Sequence, residues 1–99
     1  MKETLQDAAY KLAKENYGVA LFATRESLER MFSSAGFDAA FHAAERGMQF
    51  HLAAHRFAER VWAKELPYEK AESSLRKQFH EFSEKTCQKA FSEAYTETR

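Results

Sequence analysis

The chain has 99 residues, in which 15 Lys and Arg balance 15 Asp and Glu, and it contains one cysteine and one proline. A chain of this length forms one modest hydrophobic core, so we expect a single helical domain over residues 1–99 and no multi-step enzyme. The balanced charge argues against direct binding of nucleic acid. No apolar run approaches the length of a membrane span, so no membrane partner is expected.

The cysteine count and the N-terminal residues favour the cytoplasm. Cys87 has no second cysteine with which to form an internal disulfide, and this fits a reducing compartment. Acidic residues stand near the N-terminus where a signal peptide places its apolar segment. We therefore expect a protein of the cytoplasm.

The first predicted helix spans about residues 3–16. Thr4 and Asp7 resemble a capping box with Asp in place of Glu. Apolar residues then recur at steps of three and four until Asn16, Tyr17 and Gly18 provide a stop.

The second predicted helix spans about residues 24–35, with Thr24 as its cap. The preceding run Val19–Ala23 is apolar throughout and fits either a strand or a buried helix. Because no second strand pattern exists to pair with this run, an all-α fold is the simplest prediction.

The third predicted helix, at about 38–65, carries two neighbouring apolar stripes. One stripe contains Phe37, Phe41, Ala44, Met48, His51, His55, Ala58 and Trp62, and the other contains Ala43, Gly47, Phe50, Ala54, Phe57 and Val61. Two stripes make a face too wide for a simple surface helix. Either several segments wrap this helix or part of its face is left for another protein. The small residues at 43, 44, 47, 53, 54 and 58 would let a neighbouring backbone approach closely.

The fourth predicted helix follows Pro67 and spans about 67–96. Proline suits the first turn of a helix, where its missing N–H costs nothing. The predicted fold is thus a compact bundle of two short and two long helices, with the long pair forming a helical hairpin around Pro67. On the apolar stripes of the long helices we expect four side chains to be mostly buried: Phe41, Met48, Phe79 and Phe82.

The residues that could carry chemistry form no recognisable catalytic constellation. His51 and His55 have the spacing of metal ligands on one helix face, but the residues between them lack the Glu of the metalloprotease helix motif, and no further ligands cluster with them. Cys87 lies near the apolar edge of the last helix and is interpreted as a small buried side chain. We predict no catalytic residue, no metal and no cofactor.

The segment around Pro67 is the predicted docking loop. A Leu–Pro bond in a flexible segment exchanges slowly between cis and trans, so it can act as a switch or as a target for a prolyl isomerase. The competing interpretation is that Pro67 simply starts a helix. The predicted partner-binding residues, near or on the wide third-helix face, are Leu66, Pro67, Tyr68, Trp62, His51 and His55.

A neutral, all-helical chain of fewer than a hundred residues without a catalytic motif resembles the small host-takeover proteins of phages and mobile elements. In its size, its helical character and its lone Leu66–Pro67 dipeptide it is similar to the small anti-RecBCD accessory proteins of lambdoid phages. The resemblance covers the general character of the whole chain and this one dipeptide. It implies binding to the RecBCD nuclease through RecC, with a host prolyl isomerase recruited at the proline.

The sequence therefore predicts a protein that binds and modulates or inhibits a larger host bacterial enzyme by protein–protein contact. A first alternative is a structural homodimer in which the wide face of the third helix closes on a second copy. A second alternative is a metal-binding protein that uses His51 and His55. The residues do not separate inhibition from modulation.

Overall fold

The computed structural model describes residues 4–15, 21–34 and 36–98, and for residues 21–25 it describes the backbone alone. The chain divides into two compact units, Met1–Gln49 and Phe50–Arg99. The boundary falls inside the longest helix, which contributes residues to both units.

Five helices account for most of the described residues, and no strand occurs among them, which confirms the all-α class. No helix in this described part of the chain is long and apolar enough to cross a bilayer. The helices, in chain order, are α1 Leu5–Glu15, α2 Leu21–Met31, α3 Gly36–Trp62, α4 Tyr68–Gln78 and α5 Glu84–Glu97.

The two short N-terminal helices differ in how well the sequence predicts their ends. The N–H of Asp7 donates to Thr4 Oγ1 over 3.1 Å, so Thr4 is the cap of α1 as predicted. Thr24 is not the cap of α2, because the helix already begins at Leu21. Leu, Phe and Ala are compatible with helical backbone, so nothing in the apolar run delays the start to the threonine. The predicted stop of α1 at 16–18 lies outside the described residues. Val19 and Ala20, the first two residues of the apolar run, lie outside them as well.

The core of the first unit consists mainly of alanine. One cluster of buried residues contains Ala8, Ala9, Leu28, Ala40, Ala43 and Ala44, with Leu5, Leu12 and Phe32 packed against it. At Gly47 the backbone of α1 comes so close that a Cβ would lie 2.8 Å from both the carbonyl carbon and the oxygen of Ala9. The predicted close approach of a neighbouring backbone is therefore confirmed at Gly47, where only glycine fits.

The core of the second unit is built around aromatic rings. The ring of Phe50 stacks on that of Phe82 at a centroid distance of 4.3 Å and contacts Phe79 at 5.3 Å. At the other end of the unit, Trp62 stacks on Tyr95. These contacts show that the second half of α3 runs parallel to α5. Helix α4, which connects the two in sequence, runs in the opposite direction.

The predicted fourth helix over 67–96 is wrong as a continuous element, because the chain leaves the helical path at residues 79–83. Phe79 has φ −127° and ψ 53°, and α5 restarts at a new cap, Ser83, whose Oγ accepts from the N–H of Thr86 over 3.2 Å. Phe79 and Phe82 both lie at this break, and both rings contact Phe50.

The predicted burial of four core residues is correct for two of them. Phe79 and Phe82 are 5% and 4% exposed, whereas Phe41 is 37% exposed and Met48 is half-buried. Near the close approach at Gly47, α3 buries the small residues Ala43 and Ala44, which leave room for the backbone of α1. Phe41 lies at the surface, where its ring stacks on that of Phe37 at 6.1 Å.

We expect Gly47→Ala to destabilise the protein by about 1–3 kcal/mol, because the added methyl group meets the backbone of α1 rather than a movable side chain. Helix propensity alone would change stability in the opposite direction by about 1 kcal/mol. Urea denaturation followed by far-ultraviolet circular dichroism measures the change.

The matched control is Ala39→Gly at an exposed position of the same helix. It should lower the free energy of unfolding by about 0.5–1 kcal/mol through propensity alone. An increase in stability for Gly47→Ala would contradict the close helix contact.

Candidate partner-binding site

The turn after α3 has the hydrogen bonds of a Schellman motif. The N–H of Glu65 donates to the carbonyl of Arg60 over 2.9 Å, and the N–H of Lys64 donates to that of Val61 over 3.0 Å. Lys64 takes the left-handed conformation, with φ 63°, at the position that glycine usually occupies. The side chains of Arg60 and Glu65 approach to 3.7 Å across the turn. Backbone hydrogen bonds therefore define the turn, although Lys64, unlike the usual glycine, carries a Cβ.

Pro67 follows this turn and is the N-cap of α4. The sequence predicted it inside the first turn of that helix, but the helix begins one residue later, at Tyr68. At Pro67 the φ of −65° and ψ of 149° are those of extended backbone, and the Pro67 carbonyl accepts the first helical bond, from Ala71, over 3.0 Å. No cis peptide bond occurs among the described residues, so the Leu66–Pro67 bond is trans. Pro67 is exposed and Leu66 is half-buried.

Tyr68 belongs to an aromatic cluster, which we define as Trp62, Tyr68, Phe91 and Tyr95. The ring of Tyr68 meets Phe91 edge-on at 4.8 Å and Tyr95 at 5.1 Å. Trp62 stacks on Tyr95 at 4.5 Å with an interplanar angle of 14°. Tyr68, predicted to be exposed at the tip, is thus half-buried within the second unit.

Trp62 also forms a hydrogen bond that fixes the end of α5. Its indole Nε1–H donates to the carbonyl oxygen of Tyr95 over 2.8 Å. This carbonyl lies in the last turn of α5, where backbone acceptors lack an intrahelical donor. The neighbouring carbonyl of Ala94 accepts from both the N–H and the hydroxyl of Thr98. Trp62 remains 39% exposed while both its ring face and its N–H are engaged.

The two histidines predicted to lie at the binding surface differ in exposure. His51 is buried, at 8% exposed, and its ring meets that of His55 edge-on at 4.8 Å. His55 is half-buried, and its Nε2 lies 3.4 Å from Oε2 of Glu97 on α5. Among the described residues, no group of three or more His, Cys, Asp or Glu side chains is arranged to hold a metal ion.

The structure brings together most, but not all, of the predicted partner-binding residues. Trp62, Pro67 and Tyr68 lie at one end of the second unit, and His55 is joined to the same end through Glu97 near the end of α5. His51 lies in the interior. Cys87, interpreted as a small buried side chain, is indeed 1% exposed, and its Sγ lies 4.0 Å from the carbonyl oxygen of Phe82.

Sequence reasoning missed two elements of this region. Tyr95 links Trp62 to Tyr68, and its position four residues after Phe91 is the signal that it shares a helix face with a core residue. A small pocket on the same unit is lined by Ala53, Arg56, Phe57, Arg60 and Gln78. Its signal in the sequence is the pair of arginines spaced by four, which places both on one side of α3.

The hydroxyl group of Tyr68 has a perturbed acidity. Burial raises the pKa of Tyr68 above its ordinary value of 10.0, and the negative charge of Glu72, one turn further along α4, raises it as well. Tyr95 adds a smaller effect in the same direction, whereas a hydrogen bond with the Ser92 side chain lowers the pKa. The packed environment therefore favours the neutral phenol.

We expect the stability of the protein to fall as the pH rises above about 10, because the unfolded chain then releases the Tyr68 proton while the folded chain still holds it. The contribution is fully present below the unfolded-state pKa and is lost as the pH passes the raised folded-state value. Urea denaturation at several alkaline pH values measures the slope. The slope should be smaller in Tyr68→Phe, and equal slopes in the two proteins would contradict the assignment.

We expect Lys64→Gly to stabilise the protein by about 0.5–1 kcal/mol. The substitution relieves a left-handed conformation that costs an L-residue roughly 1–2 kcal/mol, and the greater flexibility of glycine in the unfolded chain offsets part of this gain. Thermal denaturation measures the difference. Lys64→Ala removes the same charge but keeps the Cβ, so a gain of equal size in that control would show that strain is not the source.

Comparison with known proteins adds no further assignment. No protein-family model matches the chain, and neither the curated proteins nor the solved structures give a match. The functional argument therefore depends on the residues and geometry described above.

Proposed function

We propose that this chain is a small phage- or mobile-element-type protein that binds a larger host bacterial enzyme and modulates or inhibits it by protein–protein contact. The partner suggested by the resemblance is the RecBCD nuclease, reached through RecC, with a host prolyl isomerase recruited at Pro67. In this proposal the chain has no catalytic site of its own and requires no cofactor.

The observation that carries the proposal is the exposed Trp62 ring beside the exposed Pro67. Tryptophan is enriched among the residues that dominate binding energy at protein interfaces. Trp62 is already held by its stack on Tyr95 and by its hydrogen bond to the Tyr95 carbonyl. A partner that covers the ring therefore loses little side-chain entropy on binding.

The turn that presents Pro67 supports the same proposal. The Schellman hydrogen bonds on one side and the first bond of α4 on the other define the backbone around Leu66 and Pro67. Pro67 is exposed between two helices, and Leu66 before it is half-buried, so an isomerase can reach the proline. In this proposal two partners bind neighbouring parts of one surface, the indole ring and the proline.

The test uses affinity-tagged chain, purified RecBCD and purified host prolyl isomerase. We expect the tagged chain to retain RecBCD on a column, to cross-link to the RecC subunit, and to change the nuclease rate in a concentration-dependent way. Pro67→Ala should keep its circular dichroism spectrum and lose isomerase retention. Trp62→Phe should keep the fold and weaken RecBCD binding by about tenfold, the scale expected for an interface residue of this kind.

Lys85→Ala is the matched control, because it alters an exposed residue of α5 outside the aromatic cluster. It should behave as the unaltered chain does in both retention assays. If neither RecBCD nor the isomerase is retained and the nuclease rate is unchanged, the proposed function is wrong. A stable dimer in sedimentation that Phe37→Ser dissociates would instead favour the homodimer, through the exposed Phe37–Phe41 stack.

A further inference from the structure

A pocket of about 230 Å³ opens on the second unit between α3 and the end of α4. Four residues of α3 line it, Ala53, Arg56, Phe57 and Arg60, and Gln78, the last residue of α4, lines the other side. The pocket residues lie outside the aromatic cluster, and Arg60 also takes part in the turn before Pro67 through its carbonyl. The function proposed above does not use the side chains that line the pocket.

Two of the five residues that line the pocket are positively charged, and none is negatively charged. Nε of Arg60 lies 3.7 Å from Oε1 of Glu65. Arg56 forms no ion pair with any residue in the part of the chain that the structure describes. Two arginines one helical turn apart have side chains that meet on the same face. Their planar guanidinium groups match a carboxylate by paired parallel hydrogen bonds.

The size and lining of the pocket limit what it can hold. A cavity of about 150 Å³ accommodates benzene, so this pocket of about 230 Å³ has room for one apolar side chain and a small polar group beside it. Its wall is mostly apolar, and two arginines are among the lining residues. The occupant that fits both features is a carboxylate next to an apolar group.

We propose that this pocket, which we call the Arg56/Arg60 pocket, binds an acidic side chain and an adjacent apolar side chain of a partner polypeptide. Arg56 and Arg60 hold the carboxylate, and Ala53 and Phe57 receive the apolar group. The assignment of the occupant to a partner rests on the proposed function, in which the chain acts by protein contact. The pocket would give that contact its preference for an acidic segment.

A second copy of this chain fits the pocket less well. A two-fold contact through this face would bring the arginines of one α3 against the same arginines of the other, and like charges at such an interface are unfavourable. A partner that presents a carboxylate has the complementary charge. The occupant is therefore assigned to a different polypeptide.

The test is a titration of the isotope-labelled full chain, followed by ¹H–¹⁵N NMR. The probes are a capped peptide that alternates leucine with glutamate, the same peptide with glutamine in place of glutamate, and inorganic phosphate. We expect saturable shifts at Ala53, Arg56, Arg60 and Gln78 with the acidic peptide alone. Arg56→Gln and Arg60→Gln should each weaken its binding by about tenfold, whereas the control Lys89→Gln, with the same change in net charge, should leave it within about twofold.

Arg56→Lys keeps the charge but removes the planar guanidinium group, so it distinguishes paired hydrogen bonds from charge attraction alone. It should recover only part of the affinity lost in Arg56→Gln. The proposal is wrong if the glutamine peptide binds as tightly as the acidic one. It is also overturned if phosphate produces the same shifts with the same affinity, or if Lys89→Gln weakens binding as much as the pocket variants do. Because no host protein takes part, this result stands apart from the RecBCD experiment: either proposal can fail while the other holds.

Discussion

The stack of Phe82 on Phe50 is the contact on which the second unit depends. The rings lie 4.3 Å apart and nearly parallel, and Phe79 closes against the same ring of Phe50. At this point the chain leaves the helical path, because α4 ends at Gln78 and α5 starts again after its cap, Ser83. The ion pair between Arg76 and Glu84, at 2.9 Å, spans this break. The direction of α5 follows from that turn, and α5 in turn supplies Tyr95 and Glu97 to the candidate site.

Local patterns in the sequence predicted those parts of the fold that local physics determines. The cap at Thr4 and the close approach at Gly47 each depend on the preference of one residue type for one backbone arrangement. The predicted end of α3 at about residue 65 is too late, because the helix ends at Trp62 and a turn around Lys64 follows. The break at 79–83 was missed because the apolar spacing of the fourth segment continues through it. Phe79 and Phe82 pack there on Phe50, about thirty residues earlier in the chain, and no local period contains such a contact.

Burial along α3 shows the same limit. Two stripes of similar spacing lie side by side on this helix, and spacing alone does not show which residues of each are buried. The structure buries small residues of both stripes, such as Ala43 and Ala44, beside the close approach of α1 at Gly47, whereas Phe37 and Phe41 stay exposed. The candidate site follows this pattern too. Trp62 and Pro67 were predictable as surface features, whereas the cluster that holds Trp62 depends on Tyr95 from a distant helix.

The position of Trp62 has a consequence for how the folding of this protein can be observed. It is the only tryptophan of the chain and belongs to the second unit, where it stacks on one ring and donates its N–H to a carbonyl. Its fluorescence therefore changes when that unit loses its structure, and it does not measure the structure of the first unit. Circular dichroism, in contrast, sums the helices of both. If the two signals change at different denaturant concentrations, the alanine-rich unit and the aromatic unit unfold as separate cooperative blocks.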